Sequence, residues 1–137
     1  MHQTLPGLMH RVAQRICLCL GVICLCAFSS YVSVLITIRD TQSPTRDMDE
    51  IRQLVHDLGY MDAEVSRPAP TKYGFRSNDR EGIFLVLDFN ASKGQLQISF
   101  SQGANRLSNE AMKRLAALTD SLRTRYGATK VSISEQY

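Results

Sequence analysis

The sequence contains no tryptophan, no acidic residue before Asp40 and no cysteine after Cys26. Without cysteines in the polar part of the chain, a disulfide framework for the domain is excluded. All four cysteines instead lie between Ile16 and Ile38, in a run of 23 residues that contains no charged side chain. The chain therefore divides into an apolar amino-terminal part and a polar remainder with the size of one small domain.

Net charge is scarce in this polar remainder, residues 39–137. Fourteen basic residues against thirteen acidic ones leave it with a formal charge of +1. It contains no cluster of Lys and Arg, and no alternation of basic and aromatic residues, of the kind that follows a phosphate backbone. The sequence therefore argues against a nucleic-acid partner.

Residues typical of catalysis are also missing. His2 and His10 precede the apolar run, so His56 is the only histidine of the polar remainder, and no zinc set or His-dependent triad can be assembled there. Gly94, Gly103 and Gly127 stand alone at predicted turns, and the sequence contains no phosphate-binding loop motif. We expect no catalytic residue, no cofactor, no metal site and no enzymatic activity, and we expect His56 to be a solvated surface residue.

The apolar run has the length of a transmembrane helix. A helix of 23 residues rises about 34 Å, which matches a hydrocarbon core of about 30 Å. On total length we interpret residues 16–38 as an uncleaved spanning helix after a basic tail of residues 1–15. Arg11 and Arg15 in this tail favour a cytoplasmic amino terminus, with the domain of residues 39–137 outside, in the periplasm if the protein is bacterial.

A cleaved export signal is the alternative interpretation of the same run. The tail then provides the positive region, "ICLCLGVICLC" the apolar region, and Ala27 and Ser29 the small residues before the cleaved bond. In that case "YVSVLITI" has the period-two pattern of a strand, and it would supply the first strand of a βαββαβ-like core. A segment wholly internal to the fold is the third interpretation.

The cysteines show no metal-binding pattern, because a helix directs the two members of each C-x-C pair to different sides. We interpret them as small buried apolar residues. In a spanning helix, Cys17, Gly21, Cys24 and Phe28 would share one stripe. Such a stripe of small residues would allow a homodimer.

The polar remainder has the signals of two helices and four strands. Ser43 and Pro44 begin a helix that extends to residue 58, and Ser108 caps a second helix that ends at Gly127. The predicted strands are "KYGFRS", "IFLVLDF", "QLQISFS" and "KVSISEQY", and "MDAEVSRPAPTK" is predicted to be a loop. The fold class is α+β: a small αβββαβ domain with two helices on one face of a mostly antiparallel sheet.

Hydrophobic periodicity predicts which residues of these elements are buried. The expected core positions of the two helices and the last strand are Met48, Ile51, Leu54, Val55, Leu58, Ala111, Met112, Leu115, Leu118, Leu122, Tyr126, Val131 and Ile133. We also expect Leu107 to pack onto Met112 as a hydrophobic staple.

Phe84 and Val86 are the candidate site for protein interaction. In "IFLVLDF" the core positions are Ile83, Leu85, Leu87 and Phe89, so Phe84 and Val86 point to the face that the neighbouring strand leaves polar. Because two helices cover only one face of a sheet, we expect an apolar island there. Tyr73 or Phe75 of the adjoining strand would extend this island, depending on the register.

The absence of a catalytic set, combined with the apolar run, suggests a function. We expect a single-pass, membrane-anchored accessory or protein-interaction module, which contacts the membrane through residues 16–38 and binds a protein partner. One alternative is an immunity or defence protein that neutralises an envelope toxin. Another is an exported soluble α+β protein whose signal peptide has been removed.

Overall fold

The computed structural model of the chain describes residues 32–103 and 106–136. Its strands are formed by residues that alternate between apolar and polar, and its helices begin and end near the predicted cap residues. Two helices and a six-stranded antiparallel sheet make up a small α+β domain. The elements in chain order are β1 (Ser33–Ile38), α1 (Pro44–Asp57), β2 (Tyr60–Ala63), β3 (Lys72–Ser77), β4 (Ile83–Asn90), β5 (Gln95–Gln102), α2 (Asn109–Tyr126) and β6 (Val131–Gln136).

The strands do not follow one another in space as they do in the chain. Their order across the sheet is β2-β3-β4-β5-β1-β6, and each neighbouring pair is antiparallel. The first strand is therefore inserted between β5 and β6, which run parallel to each other with α2 as their connection. Helix α1 takes the chain from β1 to β2 at the opposite edge of the sheet.

Strand β1 overturns part of the transmembrane interpretation. Ser33–Ile38 is a strand, so the prediction of a spanning helix that continues to residue 38 is wrong for these six residues. Val34, Ile36 and Ile38 are buried, and Ile36 pairs with Ile98 on one side and Ile133 on the other. The period-two pattern of this segment thus corresponds to a strand, and the backbone N–H and C=O groups of β1 form hydrogen bonds with the two neighbouring strands.

The rest of the predicted spanning helix, residues 16–31, lies outside the described residues, as does the predicted homodimer stripe. Within the ranges 32–103 and 106–136, neither helix has the length and apolar character required to cross a bilayer.

The β3-β4-β5 meander was correctly predicted, whereas β2 was missed. Met61–Ala63 belongs to a strand, so the predicted loop of residues 61–72 is wrong at its start. This edge strand pairs only with β3, and its residues Met61 and Asp62 are exposed. A four-residue edge strand buries too few side chains to produce an apolar alternation in the sequence.

Both predicted helices are confirmed. Helix α1 begins at Pro44, directly after Ser43, although the Ser43 side chain makes no capping hydrogen bond. In α2 the Ser108 hydroxyl accepts a hydrogen bond from the backbone N–H of Ala111 at 3.1 Å, as expected for an N-cap. The helix ends at Gly127, whose φ of 98° belongs to the region that favours glycine.

One hydrophobic core lies between the helices and one face of the sheet. Alternate residues of β1, β4 and β5 make the largest contributions from the sheet, and the helices add Met48, Ile51, Val55, Ala111, Leu118 and Leu122. Leu54, Leu115 and Tyr126 pack against this core while partly exposed, and Val131 is buried as predicted.

Three of the predicted core residues are exposed instead. Met112 is 57% exposed, and its expected staple partner Leu107 packs against the core without it. Ile133 is 41% exposed because β6 is an edge strand with a neighbour on one side only. Leu58 is 38% exposed because it lies beyond the last residue of α1.

Candidate functional site

The two helices leave one face of the sheet uncovered, and Phe84 and Val86 lie on it as predicted. Phe84 pairs with Arg76 of β3 and Ser101 of β5, and Val86 pairs with residues of the same two strands. Both side chains are half-buried, while Leu85 between them is fully buried on the opposite face. The pleat of β4 thus presents two apolar side chains on the open face.

The predicted extension of this island by Tyr73 or Phe75 is wrong. In the observed register both residues face the core, and Gly74 and Arg76 are the residues of β3 on the open face. Strand β1 contributes another apolar side chain to this face, because Leu35 is half-buried and pairs with Ser99, the residue that separates it from Val86. The sequence interpretation missed Leu35 because it assigned this residue to the membrane. We call Leu35, Phe84 and Val86 the open-face patch.

Strand β2 adds an apolar side chain at the edge of the same face. Met61 pairs with Arg76, which places it on the open face, and its side chain is exposed. Arg76 therefore lies between Met61 on one side and Phe84 on the other. The sequence interpretation placed Met61 in a loop and therefore did not assign its side chain to either face of the sheet.

Gly74 allows the chain after β2 to approach the open-face patch. A Cβ atom at Gly74 would lie only 2.6 Å from the carbonyl oxygen of Ala63 and 2.8 Å from Cγ1 of Val65. The Val65 side chain therefore packs directly against the backbone of Gly74, the residue that pairs with Val86. A glycine inside a strand is typical of such a close approach.

Short uncharged side chains surround the open-face patch. Register and alternation place Ser33, Thr37, Gln95, Gln97, Ser99, Ser101, Ser132, Ser134 and Gln136 on the same face. The Ser101 hydroxyl donates a hydrogen bond to the carbonyl oxygen of Phe84 at 3.3 Å. These side chains offer uncharged hydrogen-bond donors and acceptors on the open face.

Charge on the open face is limited to three residues of the described strands. Lys72 Nζ lies 3.8 Å from Asp88 Oδ2, and Asp88 also accepts a hydrogen bond from the Thr71 hydroxyl at 3.2 Å. Asp88 is partly exposed near the end of its strand. Arg76 is exposed and makes no ion pair with any described residue. It is thus the one uncompensated charge beside Phe84.

A cleft lies on the helical side, where α1 ends and α2 begins. This cleft, of about 330 Å³, is lined by Leu58, Gly59, Tyr60, Asn78, Asp79, Arg114 and Ala117. Arg114 pairs with Asp79 and, at 3.2 Å, with Glu110. The hydrogen bond from Arg114 lowers the pKa of Asp79 below its usual value. The guanidinium is already compensated, so the cleft offers no free positive charge to an anion.

Tyr60 forms the buried wall of this cleft. Its hydroxyl is buried and has no hydrogen-bond partner among the described residues. Burial raises the pKa of Tyr60 above its ordinary value, because the phenolate form would lose its hydration. Tyr60 thus carries an unsatisfied polar group on the helical side.

His56 is only partly solvated, in contrast to the sequence prediction. Its Nε2 atom lies 2.8 Å from Asp62 Oδ1, and its ring meets the Phe75 ring edge-on at 5.6 Å between centroids. Nearby, the Arg52 guanidinium lies 4.2 Å from the centre of the Tyr73 ring. Both ring contacts fasten α1 onto β3, since Tyr73 and Phe75 belong to that strand.

The start of α2 is fastened to the β3-β4 turn by a polar network. Gln102 Nε2 donates to the carbonyl oxygen of Glu81 at 2.7 Å, and the Ser108 hydroxyl donates to Glu81 Oε2 at 2.7 Å. The Gln102 side-chain oxygen accepts from the Ser108 N–H at 2.8 Å. These bonds satisfy one another and hold the helix terminus in place.

Among the residues that the structure describes, no three His, Cys, Asp or Glu side chains are grouped so that they could hold a metal ion. No protein-family model matches the sequence, and no curated protein has a significant sequence match to it.

Proposed function

We propose that the domain is a non-enzymatic protein-binding module that docks its partner on the open face of the sheet, on the outer side of a membrane. One observation carries this proposal: a sheet face left uncovered by the helices, with apolar side chains among short uncharged ones and a single unpaired arginine. A solvent-facing sheet that had no partner would not need this composition, since charged side chains are the usual cover of a wet face.

The size of the open face suits a transient interface. The six strands are separated by five inter-strand spacings, each of about 4.8 Å, so the sheet is about 24 Å wide. With strands about 20 Å long, one side of the sheet has an area of about 480 Å². An interface of this area buries about 1,000 Å² over both partners, which is the lower range for specific complexes. Uncharged serine and glutamine side chains cost less to desolvate than lysine and glutamate, and serine also loses less conformational entropy on docking.

The charge pattern specifies the chemistry of the partner. Arg76 stands beside Phe84 without an ion-pair partner among the described residues, so a carboxylate of the partner would gain a hydrogen-bonded ion pair there. The open-face patch would receive an apolar side chain next to that carboxylate. The partner is therefore a protein surface that presents an apolar residue flanked by Asp or Glu.

The location outside the membrane is proposed from the sequence. Arg11 and Arg15 precede the apolar run and no acid does. This distribution favours retention of the amino terminus in the cytoplasm and translocation of the residues after the run.

A capture experiment with matched variants tests the proposed function. The full chain carries a carboxyl-terminal tag, and captured proteins are cross-linked and quantified from detergent-solubilised cells. Replacement of Phe84 by Ser together with Val86 by Thr should leave the domain folded, at a cost of about 1 to 2 kcal/mol. It should reduce capture of the partner about tenfold or more.

Two controls separate the open face from other exposed residues. Met112→Ser removes an exposed apolar side chain from the helical side, and Arg123→Glu reverses an exposed arginine on α2. Both should leave capture unchanged, whereas Arg76→Glu should reduce it. Capture that survives the open-face variants but is lost in Met112→Ser would place the interface on the helical side and refute the proposal.

A further inference from the structure

The position of β1 determines how much of the apolar run remains for a membrane. Six of its 23 uncharged residues, Ser33–Ile38, form a central strand of the sheet, and Ile36 is 0% exposed. Among the described strands, β6 has β1 as its only neighbour. Insertion of these residues into a bilayer would detach β6, open the sheet beside β5 and expose the core, so the folded domain retains them.

The uncharged residues that remain would form a shorter helix than the hydrocarbon core of a bilayer requires. Ile16–Val32 comprises 17 residues, which as a helix would rise about 25 Å against a hydrocarbon core of about 30 Å. Its uninterrupted apolar part, Ile16–Phe28, comprises only 13 residues before two serines. Apolar stretches of about 10 to 14 residues are typical of the central region of a signal peptide.

We infer that the chain is cut between Ser29 and Ser30, and that the domain is released from its apolar leader. Ala27 and Ser29 are small residues at the third and first positions before this bond, as a signal peptidase requires. The described residues begin at Val32 and β1 begins at Ser33, so the cut leaves Ser30 as the first residue of the mature chain and removes no residue of β1. This inference does not depend on the proposed docking face.

The reaction is a peptide-bond hydrolysis by a signal peptidase. One water molecule is consumed, Ser29 acquires the new carboxylate, and Ser30 acquires the new amino group. The leader of residues 1–29 takes all four cysteines with it. The mature chain of residues 30–137 therefore contains no thiol, and no residue of the cysteine stripe remains attached to it.

Intact mass and thiol labelling of the exported protein test this inference. The full chain with a carboxyl-terminal tag is expressed in a bacterial host with an active export pathway, and the tagged product is purified without prior fractionation. We expect a mass that begins at Ser30, no reaction with a maleimide, and extraction from membranes at alkaline pH. A full-length product that binds maleimide and resists alkaline extraction would overturn the inference, as would a mature terminus at any other residue.

Two leucine variants provide the matched comparison. Ser29→Leu places a bulky side chain directly before the cut bond, and at least a tenfold larger share of the product should then retain its leader. Phe28→Leu changes the neighbouring position, which is not required to be small, and should be processed normally. If both variants are processed like the parent chain, Ser29 is not at the cut bond and the inference fails.

Discussion

The helical side and the open side of the sheet use charge in different ways. On the helical side and in its turns, arginines pair with carboxylates at several places, whereas on the open face Lys72 pairs with Asp88. Glu50 of α1, for example, accepts from Arg125 of α2 at 3.0 Å and from Arg46 at 3.2 Å. Both hydrogen bonds lower the pKa of Glu50, and the bond from Arg125 makes the larger contribution.

This difference shows which side has its interactions satisfied within the molecule. Arg46, Arg114 and Arg125 on the helical side are each paired with a carboxylate, so a partner that docks on these residues must compete with existing contacts. The open side has uncharged polar groups and Arg76, which has no ion-pair partner within residues 32–103 and 106–136, so a partner that docks there displaces few contacts. Substitutions on each side test this contrast.

The largest expected effect separates two adjacent residues of β1. Ile36→Ala removes a fully buried side chain from the core and should lower the free energy of unfolding by about 2 to 5 kcal/mol. Leu35→Ala changes a half-buried side chain on the open face and should cost less than about 1 kcal/mol. Urea denaturation of the two variants measures both values, and equal losses would mean that the open face is a second core.

The next effect concerns the close approach at Gly74. Gly74→Ala inserts a methyl group against the Ala63 carbonyl and should cost about 1 to 3 kcal/mol, with faster amide exchange in β2. Gly103→Ala is the control, since its added Cβ meets nothing within 4 Å. If Gly74→Ala is as stable as the control, Val65 does not pack against β3 in solution.

A smaller effect of opposite sign is expected at Tyr60 on the helical side. Tyr60→Phe removes a buried hydroxyl that lacks a partner among the described residues, and should raise the free energy of unfolding by about 1 kcal/mol. The measurement is the urea midpoint at neutral pH. A loss of stability would show that the hydroxyl is hydrogen-bonded in solution.

The smallest effect at neutral pH is expected at Tyr126, because its titration changes the free energy of unfolding only in alkaline solution. Burial, and then the charges of Asp47 and Glu50, raise the pKa of Tyr126 to about 12 from an ordinary value of 10.0. The unfolded chain therefore loses this proton first, and the contribution of Tyr126 to stability should be complete below about pH 10 and decrease as the pH rises toward about 12. Its hydroxyl lies 3.4 Å from the Asp47 carbonyl oxygen, so the dependence belongs to the helical side.

Tyr126→Phe should flatten the loss of stability between about pH 10 and about pH 12 without abolishing it, because burial also raises the pKa of Tyr60. Thermal unfolding at several pH values, for the single variants and the double variant, measures the share of each tyrosine. An unchanged profile in the double variant would assign the alkaline transition to other groups.

Local patterns in the sequence were sufficient to define several elements of the domain. Period-two alternation located the β3-β4-β5 meander and the open-face positions of Phe84 and Val86, because neighbouring residues of a strand must point to opposite faces. Caps and glycines located both helices, since Ser108 and Gly127 act on the backbone within a few residues.

Features that depend on distant partners became visible only in the folded domain. The residues Ser33–Ile38 have apolar character that suits a membrane or a sheet, and their pairing with β5 and β6, far along the chain, makes them a strand. The strand pairings also brought Leu35 and Arg76 to the open face, and turned Tyr73 and Phe75 to the core. Local periodicity contains no information about register between strands, because the partner's hydrogen bonds select it.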